Sequence, residues 1–397
     1  MSAIIEKYEK YVMPTYARQP VAFIRGEGCY LYDGDGNAYL DFVSGLSINN
    51  LGHCHPAVVE AAREQLEKLI HTCNLYYTEP GAELAGLLAE NSIGGKVFFA
   101  NSGAEANECA IKLARKQGRE TGGEEKHRII TLKNGFHGRT MATLTATAQP
   151  QKQEPFKPLL PGFEYVERND TGALEAAMDD SVCAVMVEPV QGEGGVYPLA
   201  REYVDAARSL TKKYGALLIF DEVQAGLGRT GRLFAWEHFG GEPDVMTLAK
   251  SRGGALPIGA TVAAPAYADV LGPGMHGSTF GGGPVPCAAG AAVIKELLAP
   301  DFLKSVREKG EFMKGLLEGL KDGGLINEVR GLGLMLAAEL PQPVAADVVA
   351  AALENRIILN NTSETTIRFL PPLIVENGMI EEVAGFLKSF LKSTLKG

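Results

Sequence analysis

The sequence is poor in cysteine and contains no Cys-x-x-Cys pair. Its 397 residues include only six cysteines, which are scattered along the chain. Spacing of this kind excludes a disulfide framework. We therefore expect the cysteines to be small buried hydrophobic residues in a reducing compartment.

The sequence also lacks a long apolar run. No stretch approaches the roughly 18 uncharged apolar residues that a membrane-spanning helix needs. Residues 1–16 mix Glu6, Lys7, Glu9 and Lys10 with apolar residues, so they lack the apolar core of a secretory signal. These absences predict a cytoplasmic protein that does not insert into membranes.

Positive charge is in deficit. Lys and Arg number 38 against 48 Asp and Glu, which gives a net charge of −10 and a pI of about 5.4. This balance gives no electrostatic reason to expect nucleic acid or an anionic membrane as a partner.

Hydrophobic residues make up 46% of the chain and charged residues 22%, which excludes a disordered chain. At about 150 residues per domain, the length predicts two or three domains.

Residues 96–263 alternate short apolar runs with helical periodicity, which is typical of parallel βα units. The runs are continuous rather than alternating, as expected for a sheet covered by helices on both faces. The predicted strands are Val97–Ala100, Ile129–Leu132, Val182–Glu188, Ala216–Asp221, Val245–Leu248 and Thr261–Ala264. This part of the chain is predicted to be one large α/β layer.

The flanking regions have a different pattern. Tyr30–Tyr32 and Ala38–Leu40 surround a turn-forming cluster and predict a β-hairpin. Helical periodicity after residue 285 encloses short strands, which indicates a smaller α+β domain. We predict three parts: residues 1–55 contribute to the small domain, residues 56–287 form the large cofactor-binding α/β domain, and residues 288–397 form the rest of the small domain.

The segment Asn101–Glu105 follows a predicted strand and opens a helix. Backbone N–H groups at such a position bind phosphate well, and Gly103 permits close approach. Ser102 and Glu105 also have the spacing of a capping box, which needs no ligand. Both interpretations of this segment stay open at this point.

Two further segments each end an apolar strand with a reactive side chain. Asp221 follows one strand, and a carboxylate there points into the crevice where open α/β sheets bind ligands. Lys250 follows another and could be desolvated enough to form a Schiff base. A phosphate cradle, a carboxylate for a protonated ring nitrogen and an imine-forming lysine together match the needs of pyridoxal phosphate.

These segments resemble the class III pyridoxal-phosphate aminotransferases, and the resemblance extends from Gly52–Pro56 to Arg368–Pro372. Within that class the resemblance is closest to the acetylornithine aminotransferases, through Asn74–Pro80 and Phe136–Thr140. The motifs that carry the class resemblance are Asn101–Ala106, Glu188–Gly195, Asp221–Gln224, Gly226–Gly231 and Thr247–Lys250. The resemblance implies fold type I of the pyridoxal-phosphate-dependent transferases, an α/β fold. Its large domain has a mainly parallel seven-stranded sheet, and a smaller α+β domain accompanies it.

The resemblance also implies roles around the cofactor ring. Lys250 would form a Schiff base with pyridoxal 5'-phosphate, and Asp221 would pair with the ring nitrogen. Gln224 would lie near the ring hydroxyl. Phe136 would stack on one face of the ring, while Val223 would press on the other.

Further implied roles concern the phosphate and the partner subunit. Ser102, Gly103 and Ala104 would hold the phosphate. Thr279 would reach the phosphate of the neighbouring subunit, so the active site would need a homodimer. By their place in these motifs, Glu188 is assigned to the cofactor site and Ser278 to the substrate site. No metal is expected.

Two arginines are assigned to substrate carboxylates. Arg139 would bind one carboxylate and Arg368 a second, which suits 2-oxoglutarate because guanidinium groups bind carboxylates in a planar, bidentate way. By the same resemblance, Glu193 would neutralise Arg368 while the donor is bound and move aside for 2-oxoglutarate. If these residues were ordinary surface charges, their ion pair would contribute only about 0 to 1 kcal/mol.

The amino donor is inferred from one position. Ornithine aminotransferases have a tyrosine where this sequence has Leu46, and an apolar lining suits an acylated nitrogen. N-Acetylornithine is therefore the expected donor, giving N-acetylglutamate 5-semialdehyde and glutamate in arginine biosynthesis. Succinylornithine, ornithine, 4-aminobutyrate and a lysine-pathway donor stay open, as does an aminomutase or decarboxylase on the same scaffold.

Four local features need separate interpretation. Gly226–Gly231 matches a dinucleotide-binding pattern, but a helix should follow it at once. Pro56 after the His53–His55 segment favours a turn into a helix over a metal site. Arg252 departs from the glycine-rich family pattern, and we hypothesise that its charge favours neutral Lys250. Gly283 replaces a family asparagine and would loosen the loop that carries Thr279.

Overall fold

The structure is a computed structural model in which residues 3–395 are described. Its strands are β1 (Phe23–Glu27), β2 (Tyr30–Asp33), β3 (Ala38–Asp41), β4 (Lys96–Ala100), β5 (Arg128–Leu132), β6 (Phe163–Val166), β7 (Val182–Val187), β8 (Val190–Gln191), β9 (Tyr197–Pro198), β10 (Leu217–Asp221), β11 (Val245–Leu248), β12 (Gly259–Ala263), β13 (Glu328–Leu332), β14 (Met335–Glu339), β15 (Ile357–Ile358), β16 (Asn360–Asn361) and β17 (Thr366–Phe369).

The helices connect and cover these strands. They are α1 (Ala3–Tyr11), α2 (Ser44–Ser47), α3 (Pro56–Lys68), α4 (Glu79–Glu90), α5 (Gly103–Gly122), α6 (Met141–Ala146), α7 (Pro150–Gln153), α8 (Thr171–Ala177), α9 (Arg201–Tyr214), α10 (Pro284–Leu297), α11 (Phe302–Asp322), α12 (Ala345–Glu354) and α13 (Asn377–Leu395). Within residues 3–395, every helix is either too short or too polar to span a bilayer.

A seven-stranded sheet in the order β4-β12-β11-β10-β7-β5-β6 forms the centre of the molecule. Its strands are parallel except β12, which is antiparallel to both of its neighbours. The mainly parallel seven-stranded sheet predicted from the sequence is therefore confirmed.

Both faces of this sheet are buried, which explains the continuous apolar runs. Leu218 and Phe220 of β10 pack on the side that α9 covers. Leu217 and Ile219, which alternate with them, pack on the side of α5. Because alternate side chains of a strand point to opposite faces, every position in such a strand must be apolar.

Two smaller sheets lie outside the central one. The antiparallel sheet β13-β14-β17-β16 packs against α11 and α12. The predicted hairpin of β2 and β3 is present, and in it Tyr30 lies opposite Leu40. Ile357 of β15 pairs with Leu40 of β3, so the amino-terminal hairpin joins a strand from the carboxyl-terminal region. The division at residues 55 and 287 stays a prediction, and this pairing is the contact that bears on it.

Two sequence-based expectations need correction, and one strand of the central sheet was missed. Thr261–Ala264 was expected to belong to a parallel series, but β12 runs antiparallel because the connection from β11 holds only the short 3-10 turn Lys250–Gly253. A parallel return needs a crossover of a dozen or more residues. The edge strand β6 was not predicted. Cys54 and Cys73 are exposed, although the other four cysteines are buried as expected.

A fully buried arginine ties the amino-terminal segment to the rest of the chain. Arg229 has no exposed surface, and burial lowers its pKa to about 9. It donates hydrogen bonds of 2.5 to 3.3 Å to three polar side chains and two backbone carbonyls, which belong to Ser44, Ser47, Asn50, Leu334 and Pro371. Every nitrogen of this guanidinium is therefore satisfied without a carboxylate.

We expect Arg229→Leu to lower the free energy of unfolding by roughly 2 to 5 kcal/mol, because five acceptors lose their donor inside the protein. Chemical denaturation followed by circular dichroism measures the change. Arg63→Leu is the matched control, since Arg63 is exposed and, among residues 3–395, forms an ion pair with Glu60 alone. If the free energy of unfolding falls no further than in the control, the stabilising role of the Arg229 hydrogen bonds is contradicted.

Candidate active site

Three neighbouring parallel strands end at one edge of the central sheet. Glu188 follows β7, Asp221 ends β10 and Lys250 follows β11. The order β11-β10-β7 places these three side chains side by side. The edge formed by the carboxyl ends of parallel strands is where open α/β sheets bind ligands.

Asp221 is buried and held from several directions. Its Oδ2 accepts a hydrogen bond from Asn107 Nδ2 at 2.8 Å and lies 2.8 Å from His137 Nδ1. Its Oδ1 accepts from the Val223 backbone N–H at 3.0 Å. Burial alone would lower the pKa of His137, but the hydrogen bond and charge of Asp221 raise it. The carboxylate therefore has a fixed orientation between Glu188 and Lys250, at the sheet edge that we call the cleft.

Asn107 and His137 were missed by the sequence analysis. Asn107 lies on α5, and Thr247 Oγ1 donates to its side-chain oxygen at 2.6 Å, which fixes the amide towards Asp221. His137 directly follows Phe136 in one of the family motifs, which was the available signal. Their pairing with Asp221 spans 114 and 84 residues and depends on the fold.

Lys250 has the features of a reactive lysine. Its backbone adopts a φ of +53°, a left-handed conformation that is strained for a residue with a side chain. The Nζ atom has no hydrogen-bond partner among residues 3–395. Burial, as the main cause, lowers the pKa of Lys250 to about 8, and Glu193 opposes this shift. Such an amine is neutral more readily than an exposed one.

The segment 102–104 begins α5 beside these residues. Ser102 is the N-cap, and its Oγ accepts from Glu105 N–H at 3.2 Å, so the capping interpretation is correct on the serine side. Glu105 does not complete the box on Ser102; it accepts from Asn101 N–H at 2.6 Å. A Cβ on Gly103 would lie 2.7 Å from Val223 Cγ1, so any larger residue would force Val223 to move.

Glu188 fixes the loop that carries Phe136. Its Oε1 accepts from Phe136 N–H at 2.8 Å and its Oε2 from Gly192 N–H at 3.2 Å, while burial raises its pKa to about 7. The guanidinium of Arg139 lies 5.6 Å from the centre of the Phe136 ring. Arg139 is exposed and forms no ion pair or hydrogen bond with residues 3–395.

Arg368 is buried and paired, in contrast to Arg139. Its Nη1 donates to Glu193 Oε1 at 2.7 Å and to Gln224 Oε1 at 3.1 Å, and Gln224 also donates to Glu193 at 3.1 Å. Burial alone would raise the pKa of Glu193, but Arg368 lowers it to about 2. Glu193 is therefore ionised and neutralises Arg368.

Ser278 and Thr279 lie apart from this cluster. They line a separate cavity of about 440 Å³ together with Asn101, Lys112 and His276. Ser278 Oγ accepts from Asn101 Nδ2 at 3.1 Å, which places this cavity next to the start of α5. Within one chain, Thr279 is thus not brought to Lys250.

Two alternative motifs have structural roles. No helix opens at Gly226–Gly231, which forms a turn around the buried Arg229, so the dinucleotide-binding interpretation is wrong. His53 Nε2 lies 2.8 Å from Asp41 Oδ2, and Pro56 starts α3 as expected for a turn into a helix.

The residue set of the cleft fits pyridoxal phosphate. The start of α5 offers backbone N–H groups for a phosphate, and Asp221 offers a fixed carboxylate for a protonated ring nitrogen. The amine of Lys250 has no partner within the described residues and suits an aldehyde.

Comparison with known proteins agrees with this geometry. The family model for class III aminotransferases matches residues 11–391. The chain belongs to the class III aminotransferases. This family of transaminases depends on pyridoxal phosphate.

Relatives of this class III aminotransferase match over nearly the whole chain. It is 51% identical to the acetylornithine aminotransferase of Caldanaerobacter subterraneus over 384 residues, which cover 96% of this chain and 98% of that protein. The acetylornithine aminotransferase of Methanocaldococcus jannaschii is 50% identical over 96% of each chain. The ornithine aminotransferase of Toxoplasma gondii superposes with a TM-score of 0.94 at 34% identity, covering 99% of this chain and 95% of that one.

Arg252 of this aminotransferase is buried and has no polar partner among residues 3–395. Its Nε and both terminal nitrogens lack a hydrogen bond, and its guanidinium lies 5.1 Å from the centre of the Phe99 ring. The charges that shift the pKa of Lys250 come from Glu193, Arg368, Asp221 and Glu188, so the hypothesis that Arg252 tunes Lys250 gains no support. Gly283 has a φ of −54°, which any residue can adopt.

We expect Arg252→Leu to raise the free energy of unfolding by about 1 to 3 kcal/mol, because a buried guanidinium without hydrogen bonds costs desolvation energy that leucine avoids. Thermal and urea unfolding of both proteins measure the change. The matched comparison is Arg229→Leu, which removes an equally buried but fully bonded guanidinium and should act in the opposite direction. A lower free energy of unfolding in Arg252→Leu would contradict the inference that the buried guanidinium destabilises the protein.

Proposed function

We propose that the chain transfers the terminal amino group of N-acetylornithine to 2-oxoglutarate, giving N-acetylglutamate 5-semialdehyde and glutamate, a step of arginine biosynthesis. The observation that carries the proposal is the unequal state of two arginines in one cleft. Arg139 has no ion-pair or hydrogen-bond partner in the described part of the chain, whereas Arg368 is neutralised by Glu193 at 2.7 Å. The names of the relatives, at about half identity, support the same donor.

The charge state of the cleft suits a donor with one carboxylate. Arg139 has no partner within residues 3–395 and is available for that group. The Glu193–Arg368 pair carries no net charge, so the acylated chain meets no unpaired cation from this pair. When 2-oxoglutarate enters, Arg368 would exchange Glu193 for the second carboxylate.

Leu46 supports an acylated donor. It lies in the turn Ser44–Ser47, where Gly45 and Leu46 have φ values of +63° and +64°. The turn is held at the cleft because Ser47 Oγ donates to the Gln224 carbonyl at 3.1 Å. Leu46 is 37% exposed and offers no hydrogen bond to a free α-amino group.

When bound, pyridoxal phosphate supplies an aldehyde and an electron-accepting ring that carry the amino group between the two substrates. Lys250 Nζ would bind the aldehyde and then accept and return the proton of the substrate carbon. The Asp221 carboxylate would keep the ring nitrogen protonated, and His137 and Asn107 hold that carboxylate in place. Ser102, Gly103 and Ala104 would hold the phosphate, and Phe136 and Val223 would enclose the ring.

A homodimer is part of the proposal. Large apolar side chains are exposed in two adjacent segments, for example Leu75 at 85% and Phe280 at 66%. Asn74 joins the segments by donating to the carbonyls of Ser278 and Gly281 at 3.0 and 2.9 Å. Apolar patches of this kind mark protein interfaces. A second copy seated there would bring Thr279 to the partner's phosphate site. The cytoplasmic location stays a prediction.

A half-reaction screen tests the donor. The pyridoxal-phosphate-loaded protein is mixed with N-acetylornithine, ornithine, 4-aminobutyrate or an amino acid without a terminal amine, and the change in cofactor absorbance is followed. We expect N-acetylornithine to react with kcat/KM at least about tenfold above ornithine and 4-aminobutyrate. Addition of 2-oxoglutarate should then restore the starting spectrum, which shows that the second half-reaction has taken place. A faster reaction with ornithine would overturn the donor assignment.

The arginine pair gives a second test. Arg368→Ala should lower kcat/KM for 2-oxoglutarate by about 100-fold or more, because the second carboxylate loses its cation. The N-acetylornithine half-reaction should change little. Arg139→Ala is the matched variant and should weaken both halves. Equal damage to both halves by Arg368→Ala would refute the exchange of Glu193 for substrate.

A further inference from the structure

The turn that carries Glu193 lies against the sheet β13-β14-β17-β16. Residues 192–195 lie between β8 and β9, and the Gly195 N–H donates to the Gly192 carbonyl at 3.4 Å. Arg368 Nη1 donates to the same carbonyl at 3.1 Å, so the arginine that pairs with Glu193 also holds the first residue of the turn. The turn and the ion pair are therefore parts of one arrangement.

A second arginine holds the other end of this turn, and the function proposed above gives it no role. Arg330 Nε donates to the Gly195 carbonyl at 2.7 Å. Arg330 on β13 and Arg368 on β17 both lie opposite Ala337 of β14, so one row of the sheet supplies both arginines. The carbonyls at the two ends of the turn are thus held from one sheet.

Arg330 is itself fixed from several sides. Its Nη2 donates to Glu339 Oε2 at 2.7 Å and to Thr366 Oγ1 at 3.3 Å, and its Nη1 donates to Glu328 Oε2 at 3.0 Å. Its guanidinium also lies 4.1 Å from the centre of the Tyr197 ring, which follows the turn on β9. Because every nitrogen of this buried guanidinium has an acceptor, the side chain is held in one orientation.

The packing around the turn restricts its backbone more than its side chain. A Cβ on Gly195, whose φ is +114°, would lie 2.9 Å from Tyr197 Cε2, and one on Gly194 would lie 2.9 Å from the Asn134 carbonyl oxygen. The backbone is therefore in close contact with its neighbours on two sides. The Glu193 side chain, in contrast, is 26% exposed. It has room to rotate while the backbone of the turn stays in place.

We propose that Arg330 is a positioning residue for the exchange of Glu193 against a substrate carboxylate at Arg368. The inference rests on the proposed function, in which 2-oxoglutarate displaces Glu193. Arg330 holds the backbone of the turn, so Glu193 leaves Arg368 by rotation of its side chain alone and returns to the same place. The strength of the Glu193–Arg368 pair, against which a dicarboxylate must compete, is thereby set by a residue outside the pair.

A freer turn should affect the two substrates differently. Without the bond to the Gly195 carbonyl, Glu193 would pair with Arg368 for a smaller fraction of the time. A dicarboxylate then meets less competition and binds more tightly. A donor with one carboxylate can then bind at Arg368 instead of Arg139, and molecules bound in this way do not react.

The experiment compares Arg330→Met with the unmodified protein, both loaded with the cofactor. We expect the half-saturating concentration of 2-oxoglutarate in its half-reaction to fall about threefold or more. The limiting rate with N-acetylornithine should fall about threefold, without a rise in the half-saturating concentration of this donor. A loosened fold would instead raise the half-saturating concentration of both substrates, and that result would overturn the inference.

A binding measurement with glutarate separates positioning from stability. Glutarate has two carboxylates but no carbonyl that could accept an amino group, and it is titrated calorimetrically into the pyridoxal-phosphate-loaded protein. We expect Arg330→Met to lower the Kd of glutarate about threefold or more. In a Glu193→Gln background, where the turn has no charge to position, Arg330→Met should change this Kd less than about 1.5-fold. Equal shifts in both backgrounds would show that Arg330 acts independently of Glu193, contrary to the inference.

Arg330→Lys and Arg208→Met are the companion variants. The lysine keeps a positive charge beside Glu339 but lacks the Nε donor, so it should also tighten glutarate binding, and it replaces Arg330→Met if that variant does not fold. Arg208→Met removes an arginine that donates to Asp244 Oδ2 at 2.8 Å and has no bond to the turn. This control should leave glutarate binding unchanged.

The outcomes separate this inference from the proposed function. If Glu193→Gln tightens glutarate binding and the Arg330 variants do not, the inference is wrong while the proposed exchange stands. If Glu193→Gln leaves glutarate binding unchanged, the exchange of Glu193 for a substrate carboxylate itself fails.

Discussion

A carboxylate fixed at the end of a buried parallel strand organises the cleft. Asp221 could not face a ligand in one orientation without groups that hold it, and Asn107, His137 and the Val223 N–H supply them. The helix that brings Asn107 has Ser102 as its N-cap, so one element positions both the carboxylate and the segment that we propose to bind the phosphate. The geometry at the two ends of the proposed cofactor site is therefore coupled through α5.

Three arginines with almost no exposed surface show how differently a buried charge can be accommodated. Arg368 has an ionised partner in Glu193, and Arg229 has five neutral acceptors. Arg252 has no hydrogen-bond acceptor among residues 3–395. The pKa values of Arg229 and Arg252 both fall to about 9 through burial, although only Arg229 is hydrogen-bonded. Burial alone therefore says little about the role of a charge, and its partners decide it.

Much of the fold was predictable because it rests on local patterns. Continuous apolar runs identified most strands of the central sheet, and Lys250 and Asp221 stood at the ends of two of them. The direction of β12 was missed because it depends on how the chain returns after Lys250 rather than on its own residues. Asn107 and His137 were missed because their role arises only when distant segments meet at Asp221. The left-handed φ of Lys250 leaves no mark in the sequence, since it is imposed by packing.

The pairing of β3 with β15 has a consequence for synthesis of the chain. Ser44 Oγ donates to the Leu370 carbonyl at 2.6 Å across 326 positions, and Ile357 pairs with Leu40. The hairpin leaves the ribosome well before these partners are translated, because about 300 residues separate them in the sequence. Contacts so distant in sequence form late and slowly. During translation, apolar side chains in or next to the hairpin, such as Leu40 and Phe42, are exposed until their final partners are made. Chaperones would bind the nascent chain at this segment.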